Sequence, residues 1–218
     1  SIEAANLANN HSHDYGEKSY TDTISALEDA GIASFGYNRI KILKIKGIKV
    51  GVTGIYELAD HQKRASQVKQ NIKALKKAGA QVIIVNFHWG IEKQYTPDEN
   101  QKALAHLAVD EGADLVIGHH PHVLEGIEEY NGKYICYSLG NFWFDEYNVD
   151  TMLVNIRISG NDDGDKIDVS VVPAVQDGTL QGCVTRICTQ EEDKSRIFSL
   201  LNKVSINANV ADLSLIHI

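Results

Sequence analysis

Three cysteines in 218 residues, Cys136, Cys183 and Cys188, are too few and too scattered for a disulfide framework or a thiolate zinc site. They read as small buried apolar residues. No apolar run approaches the roughly 18 residues needed to cross a bilayer, and the first residues lack the basic-then-apolar pattern of a secretory leader. Basic charge is short as well. Against 29 Asp and Glu stand 21 Lys and Arg, a net charge of -8, and no Lys/Arg cluster of the kind that tracks a phosphate backbone occurs. With aromatic tracks also missing, a nucleic-acid partner is disfavoured. Internal repeats and low-complexity tracts are absent. What is present, 43% hydrophobic residues, suffices for a full core, and the length fits one large domain over 1–218 better than two small ones.

The pattern along the chain predicts an α/β fold. "SYTDTISALEDA" (19–30) sets Tyr20, Ile24, Leu27 and Ala30 on one helical face, and Gly31 supplies a left-handed stop. "RIKILKIKGIKVGVTGI" alternates apolar and basic residues around Lys46-Gly47, which predicts a hairpin with one solvated face. An amphipathic helix over 63–78 closes at Gly79, and "QVIIVNFHWG" reads as a buried parallel strand. In "TPDENQKALAHLAVDEG", Thr96 as N-cap, Pro97 as first helical residue, Glu99 in a capping box and Gly112 as stop predict a further helix. "DLVIG" adds a short strand, so the middle reads β-α-β-α-β. Beyond residue 122 the pattern changes to strands, "GKYICYSLGNFWF", "TMLVNIRI", "KIDVSVVPA" and "LQGCVTRI", with a helix over "EEDKSRIFSLLNKV". The acidic turn "SGNDDGD" reads as a hairpin tip without the full EF-hand pattern. "LSLIHI" at the end fits no element and reads as an added tail. At the other end, "IEAANLA" looks like the tail of a strand, and the expectation is a chain that continues upstream of Ser1.

Histidines carry the functional signal. His88 follows the strand "VIIVNF", and His119, His120 and His122 follow "LVIG". Ligands of parallel α/β sheets bind beyond the carboxyl ends of strands, so all four are expected at one rim. In "GHHPH" an extended backbone would aim His120 and His122 to one side, with Pro121 stiffening the link. Such a pair suits zinc, iron or, with oxygen ligands, manganese. His61, His106 and His217 lie in polar or helical contexts and read as ordinary hydrogen-bonded histidines. The opening "NNHSHDYG" leaves two readings open. Asn10 is a workable oxygen ligand, with His11 as a general acid held by Asp14; alternatively the cluster caps the next helix through Asp14 or Ser19.

"LANNHSHDYGEKSYTDTISALEDAGIASFGYN" and "NFHWGIEKQYTPDENQKALAHLAVDEGADLVIGHHPHVLEGIEEYNGKYICYSLGNFWFD" resemble the CapA-type capsule, or poly-γ-glutamate, biosynthesis proteins of the calcineurin-like metallophosphoesterase superfamily. The resemblance covers residues 5 to about 146, through N-N-H-x-x-D-Y-G, H-W-G-x-E, G-H-H-P-H and Y-S-L-G-N-F. It implies a four-layer α-β-β-α sandwich with a motif-bearing α/β part (1–146) and a β-rich second-sheet part (147–218). It also implies Asn10, His88, His120 and His122 as metal ligands, with His11 and Asp14 as acid and partner. His119 replaces a glycine of the superfamily pattern and is implied either to support the ligands from behind or to face substrate, rather than to bind metal. His13, Trp89, Glu92 and Asn141 are candidate substrate contacts, as is Trp143. For the tryptophans packing under a loop is an equal alternative, and Glu92 and Asn141 have the alternative of bonding loop backbones.

Two departures stand out. Ser12 replaces an acidic residue, and the superfamily's first two metal motifs would lie upstream of Asn6. With them, two divalent ions would clamp a phosphoryl group; without them, this chain is expected to bind metal weakly or not at all and to be inactive, and one extended upstream to bind it. The resemblance thus implies a metal-dependent hydrolase acting on a phosphoester or an anionic polymer. The alternative is a non-catalytic accessory of capsule polymer synthesis or export, beside membrane-bound synthase components and anchored outside the cytoplasm by an upstream segment.

Overall fold

The computed structural model describes residues 2–144, 148–161, 164–178, 182–208 and 210. The chain divides into two units, Ser1–Gly90 with Asn100–Val116, and Ile91–Glu99 with Ile117–Ile218.

In the first unit β1 (Ala4–Asn6), α1 (Gly16–Asp29) and β2 (Ala33–Phe35) form a small crossover whose strands pair in parallel. The helix begins earlier than its apolar spacing predicts. Tyr20, Ile24 and Leu27 are half-buried, as expected, while Ala30 is exposed. Next comes the predicted hairpin, β3 (Lys41–Ile45) against β4 (Ile48–Glu57). Lys46 (φ 49) and Gly47 (φ 91) give its turn two successive positive φ angles, the twist that two-residue hairpins favour. One solvated face holds for β3 but not for β4, whose Val50 to Ile55 are all buried. The reason is a second neighbour: β4 pairs in parallel with β5 (Val82–Trp89), and α2 (His61–Lys77) lies across it. A Cβ on Gly51 would come within 2.9 Å of Leu75, so only glycine lets the helix approach this closely. α3 (Glu99–Asp110) starts later than the Thr96-Pro97 signal predicts.

β6 (Leu115–His119) begins in the first unit and passes into the second. There, β7 (Ile127–Tyr130) and β8 (Lys133–Cys136) form a hairpin, of which only β8 was expected from sequence. β9 (Asn148–Asn161) and β10 (Gly164–Asp177) pair antiparallel along their whole length, and β11 (Val184–Ile187) adds to the β10 edge. The tip of that hairpin, with Asp162 and Asp163, lies outside the described residues, as do His217 and the "LSLIHI" tail. α4 (Glu191–Val204) packs on β10, and its Ile197, Phe198 and Leu201 join Leu124, Ile127, Cys136, Met152, Val171 and Cys188 in one core. All three cysteines are free and buried. The class is therefore mixed α/β, with sheet faced by helix in each unit. No helix among the described residues is long and apolar enough to cross a membrane.

Candidate metal centre

The second unit carries the clearest cluster. One ligand atom each from Glu92, His120 and His122 lie within 4.8 Å of one another. His120 and His122 follow the end of β6, but the reason they converge differs from the expected extended backbone. Both have positive φ, 101 for His120 and 64 for His122, and their ring centroids are 5.9 Å apart. Such angles cost roughly 1–3 kcal/mol per non-glycine residue and persist only where surrounding contacts over-determine them. One such contact is the Lys93 N–H, which donates to the Pro121 carbonyl at 2.8 Å. That bond joins the turn carrying Glu92 to the turn carrying the histidines. Glu92, considered from sequence as a substrate contact or a backbone partner, thus sits among the metal-type donors.

Asn141 orients this group. His122 Nδ1 lies 2.8 Å from Asn141 Oδ1. An amide oxygen only accepts, so Nδ1 carries the proton and Nε2 keeps its lone pair for a cation. The Asn141 Nδ2, by contrast, is buried without a hydrogen-bond partner. Asn141 is placed by the turn after β8, where the Ser138 hydroxyl donates to the Val123 carbonyl at 2.7 Å. Gly140 there has φ 74, and a Cβ on it would come within 2.9 Å of the Asp150 carbonyl. On the other side of His122, Phe144 makes an edge contact at 4.9 Å between ring centroids. One carboxylate and two imidazoles form a three-ligand set of the kind that leaves a further position for water or substrate. The donor chemistry fits zinc, iron or manganese.

The first unit holds a second polar chain. Asp14 Oδ2 lies 2.9 Å from His11 Nδ1, His11 Nε2 lies 3.1 Å from Asn10 Nδ2, and Asn10 Oδ1 lies 2.8 Å from His88 Nε2. The roles follow from donor and acceptor capacity. Asp14 accepts from His11 Nδ1–H, which leaves His11 Nε2 to accept from the Asn10 amide, while Asn10 Oδ1 accepts from His88. The helix-cap alternative fails for Asp14: Tyr15 is the N-cap residue of α1 and no side chain caps it.

The remaining sequence candidates separate. His13 stacks on Tyr20 at 4.4 Å and faces Glu17 at 3.4 Å. Trp89, named as a substrate contact, is fully buried and stacked on Phe87 at 4.1 Å. It is a core residue, because β5 alternates faces and its odd positions point inward. Trp143 is 69% exposed. Enclosure of the His119 imidazole lowers its pKa to about 4, so it is neutral at pH 7. His61, in contrast, pairs with the buried carboxylate of Glu57.

The profile of the bacterial capsule synthesis protein PGA_cap family matches residues 1–146, which include every residue of both polar groups. The chain belongs to that family. Among its relatives, the capsule biosynthesis protein CapA of Bacillus anthracis is 35% identical over 224 residues, covering 91% of this chain and 53% of that protein. The PGA biosynthesis protein CapA of Bacillus subtilis (strain 168) is 31% identical over 220 residues, covering 86% and 57%. A probable polyglutamine synthesis accessory protein of Mycobacterium tuberculosis (strain CDC 1551 / Oshkosh) is 32% identical over 165 residues, covering 62% and 43%. The chain thus spans about half the length of these relatives.

Proposed function

We propose that this chain carries a divalent-metal-dependent, phosphoesterase-like hydrolytic centre that serves capsule or poly-γ-glutamate synthesis. The observation that carries the reading is the convergence of Glu92, His120 and His122 on two strained backbone positions. Strain of this kind is kept where a site requires it. A cation held by those three residues would polarise a phosphoryl oxygen and offset the charge that develops on it. Three donors from one unit would be enough to hold one ion, and the proposed site departs in that respect from the expectation of weak or no binding.

The chain's own groups supply the rest. Asn141 fixes the tautomer of His122, so that Nε2 faces a ligand unprotonated. Asp14 accepts from His11 Nδ1 and orients the imidazole, which suits that ring to pass a proton to a departing oxygen through Nε2 once Nε2 is released from the Asn10 amide. The Asn10 amide oxygen and the His88 imidazole, whose Nε2 would have to give up the proton it donates to Asn10, are a donor pair that would fit a second hard or borderline cation. The role in capsule or poly-γ-glutamate synthesis is carried over from the names of the relatives.

The test is turnover of bis(p-nitrophenyl) phosphate by the purified chain with Mn2+, after chelation, and after Mn2+ is restored. The reading expects loss on chelation, recovery on restoration, and at least a ~10-fold loss in Glu92→Gln, the scale of a perturbed metal ligand sphere. Turnover indifferent to the chelator would refute it. Mn2+ binding without turnover of any phosphoester would instead favour the non-catalytic accessory role, which the mycobacterial relative's name describes for that protein.

A further inference from the structure

We infer that Tyr37 is a positioning residue for the Asn9–Asn10–His11 loop. Gly36 and Arg39 exchange backbone hydrogen bonds at 2.9 and 3.0 Å, which makes Tyr37 and Asn38 the centre of a two-residue turn. Tyr37 has φ 55. A positive φ at the first central position is ordinarily the place of glycine in such turns, and a bulky side chain there is an outlier. The side chain explains why tyrosine occupies it. The Tyr37 hydroxyl donates to the Asn9 carbonyl at 2.8 Å, across 28 positions of sequence.

Two further contacts hold the turn in place. The Asn71 amide donates to the Tyr37 carbonyl at 3.0 Å and to the Thr53 hydroxyl at 2.8 Å, so α2 and β4 brace the strained residue. Asn71 is only 7% exposed. Beside it, a Cβ on Gly36 would lie 2.6 Å from the Ala8 nitrogen, so the turn sits directly against the root of the loop. Besides the Asn10 Oδ1–His88 Nε2 contact at 2.8 Å, the loop has local bonds: Asn9 N–H to the Leu7 carbonyl at 3.1 Å and His11 N–H to Asn9 Oδ1 at 2.9 Å. Tyr37 therefore ties the loop's backbone to the body of the first unit, while His88 holds the Asn10 side chain. Its ring also lies 5.6 Å from His13 and 6.2 Å from Tyr56, and Tyr56 is 6.0 Å from His88. Fixing the Asn9 carbonyl fixes the direction from which the Asn10 side chain leaves the backbone, and with it the Asn10–His88 and Asn10–His11 bonds.

The functional meaning rests on the roles proposed above for Asn10 and His11, but the geometry is measurable without them. Tyr37→Phe keeps the ring and removes only the hydroxyl; Tyr37→Gly also relieves the positive φ. Backbone 15N relaxation on the metal-free chain reads the loop. The order parameters of Asn9 to His11 are expected to fall from about 0.85 to below ~0.6 in both variants, while β4 and β5 remain near 0.85. Turnover of bis(p-nitrophenyl) phosphate should fall at least ~10-fold in Tyr37→Phe with KM within about twofold, the signature of a misplaced reacting group. Unchanged order parameters in Tyr37→Phe would overturn the inference. A loosened loop with unchanged turnover would uphold the positioning and refute the role assigned to His11.

Discussion

Replacing Asn141 with alanine separates a role in orienting metal ligands from a role in holding the fold. Two energetic consequences for stability oppose each other. Loss of the 2.8 Å bond from His122 costs roughly 0.5–1.5 kcal/mol. Removing the buried, unpartnered Nδ2 returns roughly 1–3 kcal/mol of desolvation penalty, and some of that is spent on the space the side chain leaves. The net change in stability is within ~1 kcal/mol, which for a chain of this size moves Tm by no more than ~4 °C. Metal affinity behaves differently. Without an acceptor at Nδ1, the His122 ring is free to change tautomer and to rotate, and loss of such a partner lowers affinity 10- to 100-fold, or ~1.4–2.7 kcal/mol. Calorimetric titration with Mn2+ and a thermal melt on the same samples read the two quantities. Asn141→Asp, which keeps an acceptor and adds charge, should bind at least as tightly as the native chain. A melt lowered by more than ~10 °C with Mn2+ affinity unchanged would show that Asn141 holds the fold rather than the ligand.

Asp14→Asn should lower turnover at least ~10-fold through loss of the carboxylate that orients the His11 imidazole, with Mn2+ affinity of the Glu92 cluster unchanged by calorimetry. Trp89→Ala should destabilise by ~3–5 kcal/mol in urea unfolding, because a fully buried indole stacked on Phe87 is lost. Trp143→Ala at a 69% exposed site should change stability by less than ~0.5 kcal/mol. Burial pushes the Cys136 thiol up to about 12, so at pH 8 it is both protonated and inaccessible. Mass spectrometry after iodoacetamide treatment should find Cys136 unmodified in the native chain and alkylated after unfolding. Because the fold favours the protonated thiol, its contribution to stability is full below pH 9 and is lost as pH rises from 9 toward 12.

The elements most legible in the sequence were those whose own periodicity decides them. α4 matches the predicted segment, since "EEDKSRIFSLLNKV" puts acidic residues in the first turn and an apolar stripe of Ile197, Phe198 and Leu201 toward the sheet. The β3–β4 hairpin was equally clear from alternation about Lys46-Gly47. What alternation in β4 did not convey was its second neighbour, because pairing with β5 is a long-range choice that local pattern does not encode. β7 was missed for a related reason: "IEEY" is short and acidic, and it is a strand because β8 pairs with it across a tight turn.

At the candidate centre, residue types were more legible than backbone. His120 and His122 were singled out correctly as a close pair, but their convergence comes from positive φ rather than extended geometry. Nothing in "GHHPH" shows that conformation, since histidine does not ordinarily require it. Glu92 was a weak candidate from sequence because it stands 28 residues before His120 and the Lys93–Pro121 bond that brings it near is a backbone contact. Tyr37 gave no signal in composition or spacing. Its importance lies in one hydroxyl and one backbone angle, and both are properties of the folded chain.

Glu92, His120 and His122 are proposed to hold one divalent ion. Pulsed EPR of the chain loaded with one equivalent of Mn2+ tests this most directly, since directly bound imidazole nitrogens give resolved 14N couplings. The account predicts couplings from two histidines in the native chain and from one in both His120→Ala and His122→Ala. A spectrum without 14N couplings, or one that neither substitution changes, would contradict it.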